Sequence, residues 1–241
     1  MRPIVSARNT IFSGLTKEMG RILSPMVGNT QHHLRDSNDL KDKLKDVNIP
    51  PTHRLYSFDL VYMFTNIPSR EAIDLAGERL HADTKLKDRT PIKPDDVIAL
   101  LKLDIELAYF RYGGEFYSQP RGLGMGKSTS SPLSDIFMED FEQKALASFP
   151  HRDSILFWLR KADDTMVAIH QDHADALFNH INSIHPDINW TKEEEENGLI
   201  HMLDVNIQRN PDGSLSTDVY RKPTHTNQYI HFHSVPHCNT N

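Results

Sequence analysis

The chain has 241 residues, of which 38% are hydrophobic and 25% charged, and a net charge of −6; this suits one large globular domain or two lobes on a shared core. No apolar run approaches the roughly 18 residues of a membrane helix and MRPIVSARNT has no apolar leader core, so an intracellular protein without a membrane partner is expected, nucleus and cytoplasm both open. A single cysteine, Cys238, excludes an internal disulfide.

In chain order, TIFSGLTKEMGRILSPMV predicts a helix with Leu15, Met19, Ile22 and Leu23 on one face, stopped near Pro25. LYSFDLVYMF (55–64) is short, apolar and aromatic, the pattern of a buried strand. A helix capped by Ser69 follows, with Ile73, Ala76 and Leu80 inward; another starts near Pro94 and aligns Val97, Leu101 and Ile105. SSPLSDIFMEDFEQKAL reads as a helix burying Leu133, Phe137 and Phe141. ILFWLRKADDTMVAI (155–169) places two apolar arms around Asp-Asp, a hairpin pattern, and HADALFNHINSIH gives an amphipathic helix through Leu177, Phe178, Ile181 and Ile184. The tail alternates strands and turns through LIHMLDVNIQ, NPDG (210–213) and SLSTDVYR. The order points to an α+β fold, an antiparallel sheet covered on one face by helices.

Charge is uneven. Residues 1–50 carry eight Lys/Arg against five Asp/Glu, and residues 151–241 seven against thirteen. Four of those thirteen form EEEE (193–196), most simply a solvated turn. The acidic total weakens a polynucleotide partner without excluding one.

GLGMGKST (122–129) invites a phosphate-loop reading, but the P-loop needs a glycine five residues before Gly126, where Arg121 stands. The residues before it, FRYGGEFYSQP, also hold two glycines and a proline instead of an apolar strand. Two acidic sites stand out more. Asp59 lies inside an apolar run, where an unpaired carboxylate costs several kcal/mol. Asp163 and Asp164 repel each other at the expected hairpin tip. A divalent cation joining them makes both placements reasonable, and oxygen ligands favour Mg²⁺. The plainer readings are a local hydrogen bond for Asp59 and simple turn preference for Asp-Asp.

Taken together in this order, the motifs carry a resemblance. SFDLVYMFTNIP resembles polymerase motif A of reverse transcriptases, QPRGLGMGKSTSSPLSDIFMEDFE motif B and RKADDTMV motif C. The pattern is most similar to the reverse transcriptases of Penelope-like retroelements, and HMLDVNIQR and VYRKPTHTNQYI resemble the same family's downstream strands. The resemblance implies a right-hand polymerase palm with partial fingers: residues 1–50 partial fingers and 51–241 palm with an inserted fingers segment. It implies RNA-directed DNA polymerase activity with two Mg²⁺ ions (Mn²⁺ as substitute), dNTP as substrate and an RNA or DNA template–primer as partner. Asp59, Asp163 and Asp164 match the metal-binding carboxylates, with the Leu60 carbonyl as a further ligand. Phe64 matches the steric gate against a ribose 2′-hydroxyl, and Arg2 the arginine that neutralises the triphosphate. Gln119, Gly122 and Gly126 belong to motif B, whose glycines imply a flexible hinge along template–primer and nucleotide. Tyr220, Arg221 and Lys222 match strands near the primer terminus.

The sequence departs from the family where Lys161 replaces an aromatic before x-D-D, and where Lys127 and Ser131 alter motif B. The family's preceding fingers strand, its thumb and its GIY-YIG endonuclease are expected to be missing from these residues. Two readings follow: a polymerase fragment, and a degenerate palm remnant that only binds nucleic acid weakly or serves as an interaction module. A third reading, structural zinc at His225, His231, His233, His237 and Cys238, lacks a paired C-x-x-C.

Overall fold

The computed structural model describes residues 12–221. Helix α1 (Ser13–Leu23) buries Met19, Ile22 and Leu23 as the periodicity predicts, and gives way to a short 3₁₀ turn containing Pro25. Helix α2 (Ser37–Leu44) was not expected. It is capped by Asp36, whose carboxylate accepts from the Asn38 and Asp39 N–H groups, and it turns Leu40 and Leu44 inward. Strand β1 (His53–Leu60) ends four residues before the expected limit, because Tyr62 adopts a left-handed backbone (φ 53°) and the short α3 (Met63–Asn66) follows. In α4 (Ser69–Ala82), Ser69 is the first helical residue and not its cap; Pro68 holds that place without a side-chain hydrogen bond. After α5 (Leu86–Arg89), α6 (Pro94–Glu106) carries its proline in the first turn, as expected.

Strands β2 (Tyr109–Tyr112) and β3 (Glu115–Ser118) form a hairpin that sequence reading missed. Gly113 and Gly114, at φ 60° and 96°, make its turn, so the glycines that argued against a strand terminate one. Helix α7 (Ser130–Ser148), strands β4 (Ile155–Lys161) and β5 (Asp164–His170), and α8 (Ala174–Ile184) match expectation. Strands β6 (Trp190–Glu194), β7 (Leu199–Met202), β8 (Val205–Arg209) and β9 (Leu215–Val219) complete the described chain. No helix among the described residues is long and apolar enough to cross a membrane.

The main sheet runs β4-β5-β1-β6, every pair antiparallel. Alternation along the strands separates its faces. Tyr56, Phe58 and Leu60 of β1, with Trp158, Val167 and Ile169, enter a large core with residues of α1, α4, α6, α7 and α8. Leu55, Leu159, Met166 and Ala168 enter a smaller core with α2 and with Ile200, Met202, Val205 and Ile207 of the β7-β8-β9 meander. The helical face is the one the sequence implied; the meander partly closes the other. At about 1.5–3 kcal/mol per fully buried large apolar side chain, the helical core dominates cohesion.

EEEE is not a solvated turn. Glu193 and Glu194 belong to β6, while the Glu195 side chain is 1% exposed and accepts Nε and Nη2 of Arg209 at 2.9 and 2.6 Å. Its N–H donates to the Leu55 carbonyl at 3.0 Å, so an ion pair on a buried carboxylate fastens the meander to β1.

A fully buried cation fastens α7 to the β4-β5 hairpin. The Arg160 side chain is fully buried; its Nε donates to Glu142 Oε1 at 2.8 Å and its Nη1 to Asp135 Oδ1 at 3.1 Å. Nη1 also donates to the Ala162 carbonyl at 3.1 Å, and Trp158 Nε1 shares Glu142 Oε1 at 2.8 Å. Arg160 further holds residues 32–34, donating its N–H to the His32 carbonyl (2.7 Å) and accepting from Leu34 N–H (2.8 Å). Glu142→Met removes one of two carboxylates from a buried guanidinium and should cost about 3 kcal/mol in urea unfolding, with Arg160→Met/Glu142→Met losing less than the single variant.

Burial holds the imidazoles of His33 and His53 below the ordinary histidine value of 6.5, in His33 against the pull of Asp135 and in His53 with help from His170. The folded protein then binds fewer protons than the unfolded chain just below that value. The stability these two groups contribute is present above 6.5 and is lost as pH falls through their lowered folded values. Urea midpoints should fall from about pH 7 to about pH 5, and His53→Asn should flatten that slope.

Candidate active site

The β4-β5 connection is a two-residue turn, since Lys161 pairs directly with Asp164 and leaves Ala162 and Asp163 at the tip. Ala162 is left-handed (φ 53°), and the buried Arg160 holds its carbonyl. On the other side, the Asp163 backbone carbonyl accepts the Leu60 N–H at 3.1 Å. The tip is therefore clamped by β1 and by a buried cation.

Register does the rest. Asp59 faces Asp164 across β1-β5 and Thr191 across β1-β6, so Lys161, Asp164, Asp59 and Thr191 form one row across the four strands. The alternation of Leu55, Ser57 and Asp59 puts the row on the meander side of the sheet, opposite the helices. Asp59 is exposed there, which corrects its expected burial: its odd position in β1 turns it away from the apolar core that Phe58 and Leu60 enter. Asp163 is exposed and Asp164 half-buried. Adjacent carboxylates in register repel, and Lys161 on the far side of Asp164 offsets part of that, by roughly 0.2–1 kcal/mol for an opposite-charge cross-strand pair.

Asp59 and Asp164 share a hollow of about 210 Å³ with Ser57, Glu193, His201 and Tyr220. Tyr220 stacks on His201, ring centres 4.2 Å apart and planes at 16°, and donates its N–H to the Asp204 carbonyl at 2.8 Å. The downstream tyrosine picked from sequence thus reaches the acidic row; Arg221 follows it on the surface. The oxygens of Asp59, Asp163, Asp164 and the Leu60 carbonyl, the ligands the resemblance implies, are of the hard type that suits Mg²⁺, which needs one or two carboxylates beside substrate phosphates. No group of three or more His, Cys, Asp or Glu side chains converges to hold a metal among the described residues.

The glycine loop lies against the segment after β1. Leu123 N–H donates to the Phe64 carbonyl at 2.5 Å. Gly122 has φ 75°, and a Cβ there would stand 2.5 Å from the Thr65 carbonyl oxygen and 2.6 Å from that of Phe64. Close backbone approach thus explains the first glycine. Gln119 Nε2 braces the loop from inside, donating to the Arg121 and Leu123 carbonyls at 3.0 and 3.2 Å. Phe64 is half-buried against the helical core, with its backbone under the loop. Gly126, at φ 101°, stays exposed.

Instead of a free hinge, the loop's second half is tied. Lys127 Nζ lies 3.3 Å from Asp104 Oδ1 of α6 and also donates to the Asp104 carbonyl. Asp104 also accepts Thr16 Oγ1 and Thr129 Oγ1, each at 2.6 Å. Sequence reading missed this pair, although a signal existed: Asp104 falls on the apolar stripe of Val97 and Leu101, where a carboxylate needs a partner. Arg160, Glu193 and His201 were missed as well. Arg2, Lys222 and the histidine–cysteine cluster lie outside the described residues.

No protein-family model matches the chain, and no curated protein matches its sequence. Solved structures do share its fold. The apo telomerase of Candida tropicalis truncated from its C-terminal domain superposes with TM-score 0.65 at 14% identity, over 88% of this chain and 46% of that one. The telomerase of Candida albicans in complex with a TWJ fragment of telomeric RNA gives 0.64 at 13%, over 88% and 38%. An RNA-dependent RNA polymerase gives 0.59 at 14%, over 89% and 21%. This chain spans less than half the length of each. The fold is a reverse-transcriptase-like polymerase fold of the palm-and-fingers type, α+β as expected.

Because the Gly122 contact is with backbone and its φ is positive, Gly122→Ala should cost about 1–3 kcal/mol, visible as a lowered Tm. Ala substitution at Gly113, which has open space around it, should cost less despite a similar φ.

Proposed function

We propose, with the reverse-transcriptase-like fold as premise, that the chain is the fingers–palm portion of an RNA-directed DNA polymerase. It joins a dNTP to a primer 3′-hydroxyl on an RNA or DNA template. The observation that supports this reading is the row of Asp164 and Asp59 in register, with Asp163 at the adjoining tip. The motif order further supports a reverse transcriptase of the Penelope-like kind, with residues 1–50 as partial fingers and 51–241 as palm and inserted fingers segment.

Asp59, Asp163 and Asp164, with the Leu60 carbonyl, would hold two Mg²⁺ ions, Mn²⁺ substituting. Such ions neutralise phosphoryl oxygens and lower the pKa of an attacking hydroxyl. The chain's own residues orient the reactants. The Arg160 bond to Ala162 keeps Asp163 at the tip. Phe64, Gln119, Gly122 and Gly126 form the nucleotide side, with Phe64 crowding a ribose 2′-hydroxyl. Tyr220, Arg221 and Lys222 contact the nucleic acid near the primer end, and Arg2 takes the triphosphate charge.

A second reading, a palm remnant that binds nucleic acid or a protein without polymerising, is favoured by Lys161 beside Asp164. Primer extension on poly(rA)–oligo(dT) with Mg²⁺ or Mn²⁺ separates the two. The polymerase reading expects extension that Asp59→Ala and Asp163→Ala each reduce by at least about 10³-fold, with circular dichroism unchanged. Extension that survives either substitution would sink the metal assignment. A folded wild-type chain that extends with neither metal supports the remnant.

A further inference from the structure

The glycine loop is held at two places far apart in sequence. Its first half rests on the Phe64–Thr65 backbone through Gly122 and Leu123. Its second half is fixed by one buried carboxylate, Asp104, whose residue is 1% exposed. Thr16 of α1 donates to Oδ1 and Thr129 to Oδ2, so hydroxyls already reach both oxygens. What they do not supply is charge, and Lys127, its side chain 6% exposed, brings the compensating ammonium.

The same lysine sets the loop's backbone. Its N–H donates to the Gly124 carbonyl and its carbonyl accepts the Ser130 N–H, both at 3.3 Å, while Ser130 Oγ donates to the Gly124 carbonyl at 2.6 Å. Behind it, α1 fits closely: a Cβ on Gly20 would lie 2.6 Å from the Ser128 carbonyl oxygen. Between the two fixed halves Met125 and Gly126 form an arc, Met125 half-buried and in a β-bridge, Gly126 exposed. A lysine in a glycine loop ordinarily suggests a phosphate ligand. Here the ammonium is directed into the protein.

We propose that Lys127 and Asp104 form a lock that fixes the Met125–Gly126 arc, making Lys127 a positioning residue for the incoming nucleotide. This rests on the polymerase reading of the same site. The loop then presents its backbone to the nucleotide from a rigid base, and α6 and α1 become part of the nucleotide site without touching it. Loss of the lock loosens the arc and weakens nucleotide binding more than it slows the bond-forming step.

The test compares wild type with Lys127→Met, Lys127→Arg and the milder Thr129→Val, which guards against a variant that fails to fold. Amide hydrogen exchange is read over residues 120–130 and over β1 and β5, and dTTP affinity is read by calorimetry with Mg²⁺ on poly(rA)–oligo(dT) whose primer lacks its terminal 3′-hydroxyl. Lys127→Met should speed exchange in 120–130 by about tenfold or more, leave β1 and β5 unchanged, and weaken dTTP binding by a similar factor. In primer extension KM for dTTP should rise with kcat within about twofold. Thr129→Val should move both readouts the same way by less, and Lys127→Arg should restore them. Unchanged exchange in 120–130 overturns the lock. Faster exchange with unaltered dTTP affinity overturns the positioning role. Wild type that binds no dTTP and extends no primer overturns the polymerase reading and the positioning role together, while the exchange data still decide the lock.

Discussion

The acidic row depends on a guanidinium that never meets solvent. Arg160 sits one residue before Lys161 in β4, and its side chain crosses into the helical core to reach Glu142 and Asp135 of α7. Desolvating that cation costs several kcal/mol, so the arrangement holds only while both carboxylates stay in place. Its bond to the Ala162 carbonyl transmits the constraint to the hairpin tip. Its backbone bonds to His32 and Leu34 transmit it to the segment that crosses the sheet edge. A single buried charge thereby ties the longest described helix, an edge strand and the tip together.

Elsewhere in the molecule the same device recurs. Arg79 of α4 bonds Glu139 of α7 at 2.5 Å, and Glu139 also accepts the Gly28 N–H at 2.7 Å. Glu195 takes Arg209, and Asp104 takes Lys127. Each pair joins elements that apolar contact alone would allow to slide. Apolar packing sets how much the sheet and helices attract; these pairs set where they meet.

Much of the fold was legible because helical and strand periodicity are local. Leu133, Phe137 and Phe141 announce α7, and two apolar arms around Asp-Asp announce β4 and β5. The misreadings have physical causes. Asp59 looked buried because its neighbours are apolar, yet a strand alternates, and its odd position turns it to the meander side of the sheet, where it is exposed. EEEE looked solvated because Arg209, its partner, arrives from a different sheet. Helix α2 is too polar to show a stripe, with only Leu40 and Leu44 buried. The candidate residues Asp59, Asp163 and Asp164 were found through motif order, whereas the pairing of Lys127 with Asp104 depends on folding across 23 positions and leaves only an odd carboxylate on an apolar stripe as its trace.

The acidic row has one more consequence. Lys161, Asp164, Asp59 and Thr191 lie side by side only because four strands are in step. Side chains alternate with a period of two, so shifting one strand by a single residue would turn its member of the row into the helix-packed core and bring an apolar residue out in its place. The greasy side of the sheet thus proofreads the charged side: Phe58, Trp158 and Val167 make any misaligned pairing expensive. Substitutions among those core residues can disturb the row without approaching it, and the arrangement of the acids can be no more accurate than the packing on the opposite face.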